Sequence, residues 1–139
     1  MEITANAIQT VASSTNILFS DTVTSGNCSI LHREGSGLVT LRGLTNQCRA
    51  RFRVSFGGNI AIPTGGTVEP ISLALAINGE PVATTTMIST PAAVEEYNNV
   101  FSAIFLDVPR GCCSQISVRN LSEQDIDVQN ANLIVERVA

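Results

Sequence analysis

The chain has 139 residues, enough to fold as one domain with a real core. Hydrophobic residues make up 44% of it, but charged residues only 14%, well below the roughly 25% of an average globular domain. The net charge of −4 argues against nucleic acid as a partner. No apolar run approaches the roughly 20 residues that a membrane-spanning helix needs, so we expect no membrane partner. Low charge with abundant Thr, Ser, Asn and Val favours an all-β protein partly covered by copies of itself.

The first fifteen residues, "MEITANAIQTVASST", read as a polar segment ahead of the first predicted strand. An early acid at Glu2 and the lack of a basic region argue against a signal peptide. We therefore divide the chain into an N-terminal arm over residues 1–15 and a domain over residues 16–139. Such an arm is expected to lie as an extended strap on a neighbour or on a larger assembly.

Short segments of alternating polarity dominate the rest of the chain, and no long stretch has helical spacing. Turn signals rich in Gly, Pro and Asn separate them, among them "EGSG", "FGGN", "PTGGT" and "NGEP". The predicted strands are 16–23, 27–33, 38–44, 48–56, 70–78, 81–89, 97–108, 112–119 and 126–137. Nine short strands in one domain predict an antiparallel two-sheet sandwich or jelly roll.

The segment "CRARFRVSF" carries the most concentrated charge in the chain. Alternation places Arg49, Arg51 and Arg53 on one face of the predicted strand. Three like charges repel, so anionic groups should lie opposite them. The candidates are acidic side chains across the sheet, a neighbouring subunit, or an acidic partner surface; cross-strand ion pairs are favoured. The aromatic platforms that single-stranded nucleic acid requires are not visible on this face.

The segment "NVFSAIFLDV" is apolar on both faces of a predicted strand. One face carries Phe101, Ala103 and Phe105, and the other is lined by Val100, Ile104, Leu106 and Val108. A sandwich strand is normally solvated on one face. Either a loop covers this strand, or its outer face packs against neighbouring subunits, and we favour the second. Of the six aromatic residues in the chain, Tyr97, Phe101 and Phe105 cluster here, which favours an intersubunit contact.

Motifs for catalysis or cofactor binding are not apparent. His32 is the single histidine, and no nucleophile motif lies near it in sequence. There is no glycine-rich phosphate loop before a helix, no HExxH and no EF-hand spacing. We therefore expect a non-enzymatic protein with no cofactor and no resident metal.

The four cysteines, Cys28, Cys48, Cys112 and Cys113, leave several alternatives open. Alternation directs Cys112 and Cys113 to opposite faces of a strand, so they do not converge on one metal. Zinc would need Cys28, Cys48, one of the adjacent pair and His32, but no CxxC motif is present. Cys28 and Cys48 could bond to each other or to one of the pair. With reduced thiols as the default, we expect packed thiols or, at most, disulfide staples.

The C-terminal half resembles the TNF/C1q-like jelly roll. In such domains an "I-N-G" hairpin precedes a long apolar strand, a "G-D/C-x-I-x-V-x-N" strand and a terminal "N-A-x-L-x-I/V" strand. The matching segments here are Ile77-Asn78-Gly79, Gly111 to Asn120 and Asn130 to Val135. The likeness extends to the heads of bacterial collagen-like surface proteins and to small phage structural proteins. It spans residues 16–139, with its motifs from residue 68 onward, and no Gly-X-Y stalk precedes it.

This resemblance implies a homotrimer, with aromatic and apolar strands meeting at the threefold axis, and it brings no catalytic residue. The function that follows as an expectation is a structural protein on an assembled particle: a capsid decoration protein on the surface of a tailed-phage virion. Its partners would be itself and the major capsid protein, reached through the N-terminal arm or one trimer face. The alternatives are the receptor- or glycan-binding tip of a phage fibre, and a bacterial cell-surface or spore-coat protein.

Overall fold

A computed structural model describes residues 1–26 and 28–139, and in this part of the chain two antiparallel sheets pack face to face. The strands are β1 (Glu2–Ala5), β2 (Gln9–Val11), β3 (Asp21–Thr24), β4 (Ile30–His32), β5 (Val39–Arg42), β6 (Arg49–Ala61), β7 (Ile71–Ile77), β8 (Glu80–Pro81), β9 (Met87–Ser89), β10 (Asn98–Pro109), β11 (Cys113–Asn120) and β12 (Ile126–Arg137). One short 3₁₀ turn, Ala83–Thr85, is the only helical element of the described residues. None of them forms a helix long and apolar enough to cross a membrane.

The first sheet has the strand order β10-β6-β12-β1-β3, with β2 also paired to β12. The second has the order β4-β5-β11-β7-β8, with β9 paired to β7. Alternation along each strand directs one set of side chains between the sheets. In β6 this inner set includes Phe52 and Phe56, both fully buried, and the ring of Phe19 packs edge-on against Phe56 with centroids 6.4 Å apart. The predicted all-β jelly-roll architecture is confirmed.

The N-terminal segment is not an arm. Residues 2–5 form β1, which pairs with β12 on one side and β3 on the other, and residues 9–11 form β2, which pairs with β12. Ile3 is fully buried, and the hydroxyl of Thr10 donates a hydrogen bond of 2.8 Å to Asp127. The expectation of a free strap over residues 1–15 is therefore wrong. Its polar composition conceals two short strands, whose apolar residues Ile3, Ala5 and Val11 are buried in the core.

Most of the other predicted strands are present, with two informative differences. The predicted strand over residues 81–89 is divided into β8, the 3₁₀ turn and β9. The segment "FGGN", expected to be a turn, instead lies inside β6. Gly58 fits there because a Cβ at this position would lie 3.3 Å from the ring of Phe56 and 3.4 Å from Cα of Ala131. The glycines of this segment thus allow close packing within a long strand.

The start of the strand predicted over residues 27–33 includes Asn27, which lies outside the described residues.

Candidate assembly surface

An exposed aromatic face lies on β10, the edge strand of the first sheet. Phe101 is 64% exposed and Phe105 is 67% exposed, with exposed Ala103 between them. The opposite side of β10 packs into the core, where Val100 and Val108 are buried and Ile104 contacts the core cluster. We call the surface formed by Phe101, Ala103 and Phe105 the β10 face. The predicted two-sided apolar strand is thus confirmed, with one side in the core and the other open.

Neighbouring strands extend the β10 face. Ala103 lies opposite Ser55 of β6, and Ser55 lies opposite Ile134 of β12, which is 40% exposed. Ile134 was not identified from the sequence, although it interrupts the polar side of a strand whose neighbours Leu133 and Val135 are buried. An apolar residue on the outer side of an alternating strand is the signal that could have revealed it.

Gly57 lies opposite Phe101 across the β6–β10 pair. A Cβ on Gly57 would lie 3.7 Å from Cδ2 of Phe101, an ordinary van der Waals distance. The aromatic ring therefore lies beside a residue with no side chain to shield it. This arrangement leaves the Phe101 ring accessible from outside the sheet.

Tyr97 is the remaining residue of the predicted trimer contact. It is half-buried and lies just before β10. Burial is the main cause that raises the pKa of its phenol above 10.0, and the charges of Asp127 and Glu95 raise it further. Its own chain therefore covers part of Tyr97. A contact with another subunit at Tyr97 stays a prediction.

The three arginines of β6 have carboxylate partners within the chain. Arg51 binds Asp107 through two hydrogen bonds, Nε to Oδ1 at 2.8 Å and Nη2 to Oδ2 at 3.1 Å. Arg49 lies 3.1 Å from the same carboxylate, and Arg53 lies 3.5 Å from Glu136. Cross-strand ion pairs, one of the alternatives predicted for this row, are thus observed. An additional contact of these arginines with another subunit or partner stays a prediction.

The pKa of Asp107 is lowered from its ordinary value, mainly by the hydrogen bond from Arg51. Desolvation opposes this effect, while the charges of Arg51 and Arg49 add to it. The Asp107 carboxylate is thereby held in its ionised form beside two guanidinium groups. One end of the β10 face accordingly borders a paired, charged rim, the arrangement in which polar residues surround an apolar interface core.

The cysteines are neither packed nor bonded to each other. Cys28, Cys48, Cys112 and Cys113 are all free and exposed. The expectation of packed thiols is therefore wrong, because all four occur in or next to turns rather than on the inner side of a strand. No group of three or more His, Cys, Asp or Glu residues able to hold a metal is found among residues 1–26 and 28–139.

His32 has a structural contact in the turn after β4. Its Nε2 lies 2.9 Å from the carbonyl oxygen of Ser36. Because a carbonyl only accepts, Nε2 carries the proton in this contact. Nδ1 is buried without a hydrogen-bond partner in the described part of the chain. The interaction closes a tight turn in which Gly35 adopts a positive φ of 89°.

No protein-family profile matches this sequence, and no curated protein matches it. Solved structures do resemble the fold. An Eiger TNF from S. frugiperda is 14% identical with a TM-score of 0.68, and the match covers 100% of this chain and 92% of that one. Murine APRIL is 10% identical with a TM-score of 0.63 over 97% of each chain. The globular domain of zebrafish complement 1qA protein is 11% identical with a TM-score of 0.62, covering 96% and 93%.

At these identities the likeness concerns the fold alone. The chain has the jelly-roll fold of these TNF and C1q structures, as the resemblance of its C-terminal half implies. A sugar-binding domain of EclA and a family 35 carbohydrate-binding module superpose less well, with TM-scores of 0.47 and 0.44.

Proposed function

We propose that this protein is a non-enzymatic structural subunit that assembles as a homotrimer through the β10 face. The observation that carries the proposal is the pair of phenylalanines, each about two-thirds exposed, on an edge strand of the first sheet. Exposing two aromatic rings on one face of a strand is unfavourable in a lone subunit, and aromatic residues are enriched at the centres of interfaces. The TNF/C1q-like fold supports a threefold arrangement.

The charged rim of the β10 face is compatible with such an interface. Its arginines are already paired within the chain, so burial of the face would not leave an isolated guanidinium without a carboxylate. The aromatic centre supplies apolar area, and the rim supplies polar contacts. We infer that the trimer is held mainly by Phe101 and Phe105.

We further propose that the trimer decorates an assembled particle, and that this particle is a tailed-phage virion. The low charged fraction and the likeness of the sequence to small phage structural proteins support this setting. The contact with the major capsid protein would be made by one face of the trimer. The N-terminal segment would not make this contact as a free arm, because residues 2–5 and 9–11 are strands of the first sheet.

The oligomeric state is tested by light scattering of the purified protein, with and without reductant. We expect three times the chain mass in both conditions, since the β10 face does not depend on disulfides. A single-chain mass in both conditions would contradict the trimer. A trimer that dissociates on reduction would show that cysteines, rather than the aromatic face, hold it together.

The particle is tested by gold labelling of purified virions with antibodies to this protein. Label distributed over the capsid surface supports decoration, whereas label confined to fibre ends supports the receptor- or glycan-binding tip. Label on bacterial cells or spores, with none on virions, would replace the phage setting by a surface or coat protein. Virions of a phage that lacks the gene serve as the control.

A further inference from the structure

Five of the eight arginines lie at one end of the sandwich, although four separate segments of the chain supply them. Arg42 ends β5, Arg137 ends β12, and Arg110 directly follows β10. The amide of Arg110 donates to the carbonyl of Cys48 at 3.0 Å. Nη1 of Arg137 donates to the carbonyl of Leu44 at 2.6 Å, so the segments are bonded to one another. We call this surface the arginine end; it consists of Arg42, Arg49, Arg51, Arg110 and Arg137.

The arginine end has too few carboxylates to neutralise it. Two of its arginines share Asp107: Arg51 binds both carboxylate oxygens, and Arg49 lies 3.1 Å from Oδ2. A single carboxylate balances only one of these two guanidinium groups. The other three arginines of this end form no ion pair with an acidic side chain among residues 1–26 and 28–139.

These three arginines are held by uncharged oxygens or are free. Nη1 of Arg42 donates to a backbone carbonyl at 3.3 Å, which satisfies an N–H group but leaves the guanidinium charge in place. Arg110 is exposed and has no side-chain partner in the part of the chain that the structure describes. Even a terminal carboxylate on Ala139, to which Arg137 donates at 3.2 Å, leaves the arginines in excess. The arginine end therefore has free capacity to bind anionic groups.

A recess in the arginine end has room for an acidic side chain. Its volume is about 280 Å³, and it is lined by Gln47, Cys48, Arg49, Arg51 and Ala139. The two guanidinium groups that share one carboxylate thus border an open space. Guanidinium groups bind carboxylates through paired hydrogen bonds, which gives such a recess a preference for Asp or Glu side chains.

Acidic side chains gather at the opposite end of the sandwich. β12 runs from one end to the other, since Asp125 directly precedes its first residue and Arg137 is its last. Its 12 residues span roughly 36 Å, several times the Debye length of about 10 Å at 0.1 M ionic strength. The net charge of −4 therefore does not describe the arginine end, which attracts anions by itself. The loops around Asp125 and before β10 carry Glu69, Glu95, Glu96 and Glu123.

We propose that the arginine end is the surface through which the protein docks on a carboxylate-rich protein surface of the particle. This inference rests on the proposed function, and it assigns the part of the subunit that meets the shell. Arg42 and Arg110 lie at or beyond the ends of their strands. Assembly through Phe101 and Phe105, in the middle of β10, leaves these arginines open to a second partner.

The arrangement of charges favours a protein partner over nucleic acid. Asp107 lies within the arginine end, where it repels a continuous row of phosphates. Carboxylates spaced over a folded protein surface can contact the arginines and avoid Asp107. The acidic loops at the other end also repel a long polyanion. The five residues of the arginine end include no aromatic platform on which bases would stack.

The test measures binding of the purified protein to immobilised poly-L-glutamate, a carboxylate-rich probe. We expect the wild type to bind at about 0.1 M salt and to be released toward about 1 M, where the Debye length falls to about 3 Å. Arg110→Glu should weaken binding by about five- to tenfold, because it replaces an attraction by a repulsion of similar size. The thermal transition and the oligomeric state of this variant should match those of the wild type.

Arg33→Glu is the matched control. Arg33 is also exposed, but it lies in the turn after β4, at the other end of the sandwich from Arg110. Both variants change the net charge equally, so a difference between them reports position and not total charge. Equal binding by the two variants would overturn the arginine end as the docking surface. Absence of wild-type binding to poly-L-glutamate would overturn it as well, and binding to double-stranded DNA instead would identify nucleic acid as the partner.

Virions that lack the gene separate this inference from the proposed function. Purified wild-type protein added to these virions should sediment with them, and Arg110→Glu should bind them more weakly than Arg33→Glu does. If poly-L-glutamate is bound through Arg110 but virions are not bound at all, the proposed particle fails while the arginine end stands. If wild type and Arg110→Glu bind virions equally well, the docking surface is overturned while the particle stands.

Discussion

Phe105 of β10 and Arg53 of β6 lie directly opposite each other on the exposed face of the first sheet. Arg53 pairs on its other side with Glu136 of β12 at 3.5 Å. Arg53, Ala103, Ile104 and Phe105 line a shallow cavity of about 270 Å³. The Arg53 guanidinium thus lies between the exposed ring of Phe105 and the carboxylate of Glu136, which neutralises the charge of the arginine. This is the point at which the apolar centre of the proposed interface meets its charged rim.

Phe105→Glu should convert the trimer to a monomer. The ring is 67% exposed in the single subunit, so replacing it should change the free energy of unfolding by no more than about 0.5 kcal/mol. In the trimer, the new carboxylate would enter a desolvated contact, and Arg53, which lies opposite it, is already paired with Glu136. Light scattering should give one chain mass, or the protein should become insoluble if assembly proceeds incorrectly.

Ile88→Glu is the matched control for this variant. Ile88 is also 67% exposed, but it lies on β9 of the second sheet, away from the β10 face. This variant should remain a trimer with the wild-type thermal transition. A soluble trimer of Phe105→Glu would contradict the assignment of the interface, and a monomer of Ile88→Glu would move the interface to the second sheet.

Asp107→Asn should remove a component of stability that depends on pH. The pKa of Asp107 is lowered in the folded protein, first by its hydrogen bond to Arg51, so its ionised form favours folding. This contribution is fully present above the ordinary value of 3.8 and is lost as the pH falls through the lower, folded pKa. In urea titrations the wild type should therefore exceed Asp107→Asn in stability near neutrality, and the difference should shrink in strong acid.

The same substitution in an Arg51→Met background provides the control for Asp107. Without the two hydrogen bonds from Arg51, replacing Asp107 should have a smaller pH-dependent effect. An equal effect in both backgrounds would show that Arg51 is not what lowers the pKa of Asp107. Both groups are solvent-exposed, so added salt should weaken the difference.

The sequence predicted those parts of the fold in which alternation is strong and local. The predicted strand over residues 126–137 coincides with β12. The exposure of Phe101 and Phe105 was also predictable, because successive residues of β10 point alternately into the core and away from it. The carboxylates that pair with the arginines could not be assigned, because Asp107 and Glu136 reach β6 only through the register of strands distant in sequence. The exposure of the cysteines could not be predicted, because they lie in or next to turns, where buried and exposed residues do not alternate regularly along the sequence.

Ile3→Ala should show that the N-terminal segment is part of the core. Ile3 is fully buried in β1, between the partner strands β12 and β3. Truncating a buried isoleucine costs about 2 to 5 kcal/mol, from lost burial and the cavity that remains. Chemical denaturation should show this loss, whereas Ile8→Ala, at a residue that is 55% exposed, should have little effect. Equal stabilities of the two variants would indicate that residues 1–15 form a free arm and not part of the core.

Gly43→Ala should disrupt the loops that hold the cysteines in place. A Cβ on Gly43 would overlap the carbonyl oxygen of Pro109, which belongs to the backbone and cannot rotate away. The same residue bonds the turn after β10 through Cys112 and Gly111. We expect a loss of about 1 to 3 kcal/mol by denaturant titration, the range typical of overpacking. Gly57→Ala is the control, because its Cβ would meet only ordinary van der Waals contacts, at 3.7 Å from the ring of Phe101 and 3.9 Å from the carbonyl oxygen of Val100. If the two variants were equally stable, the close approach of Gly43 to Pro109 would not hold the turn that follows β10 in place.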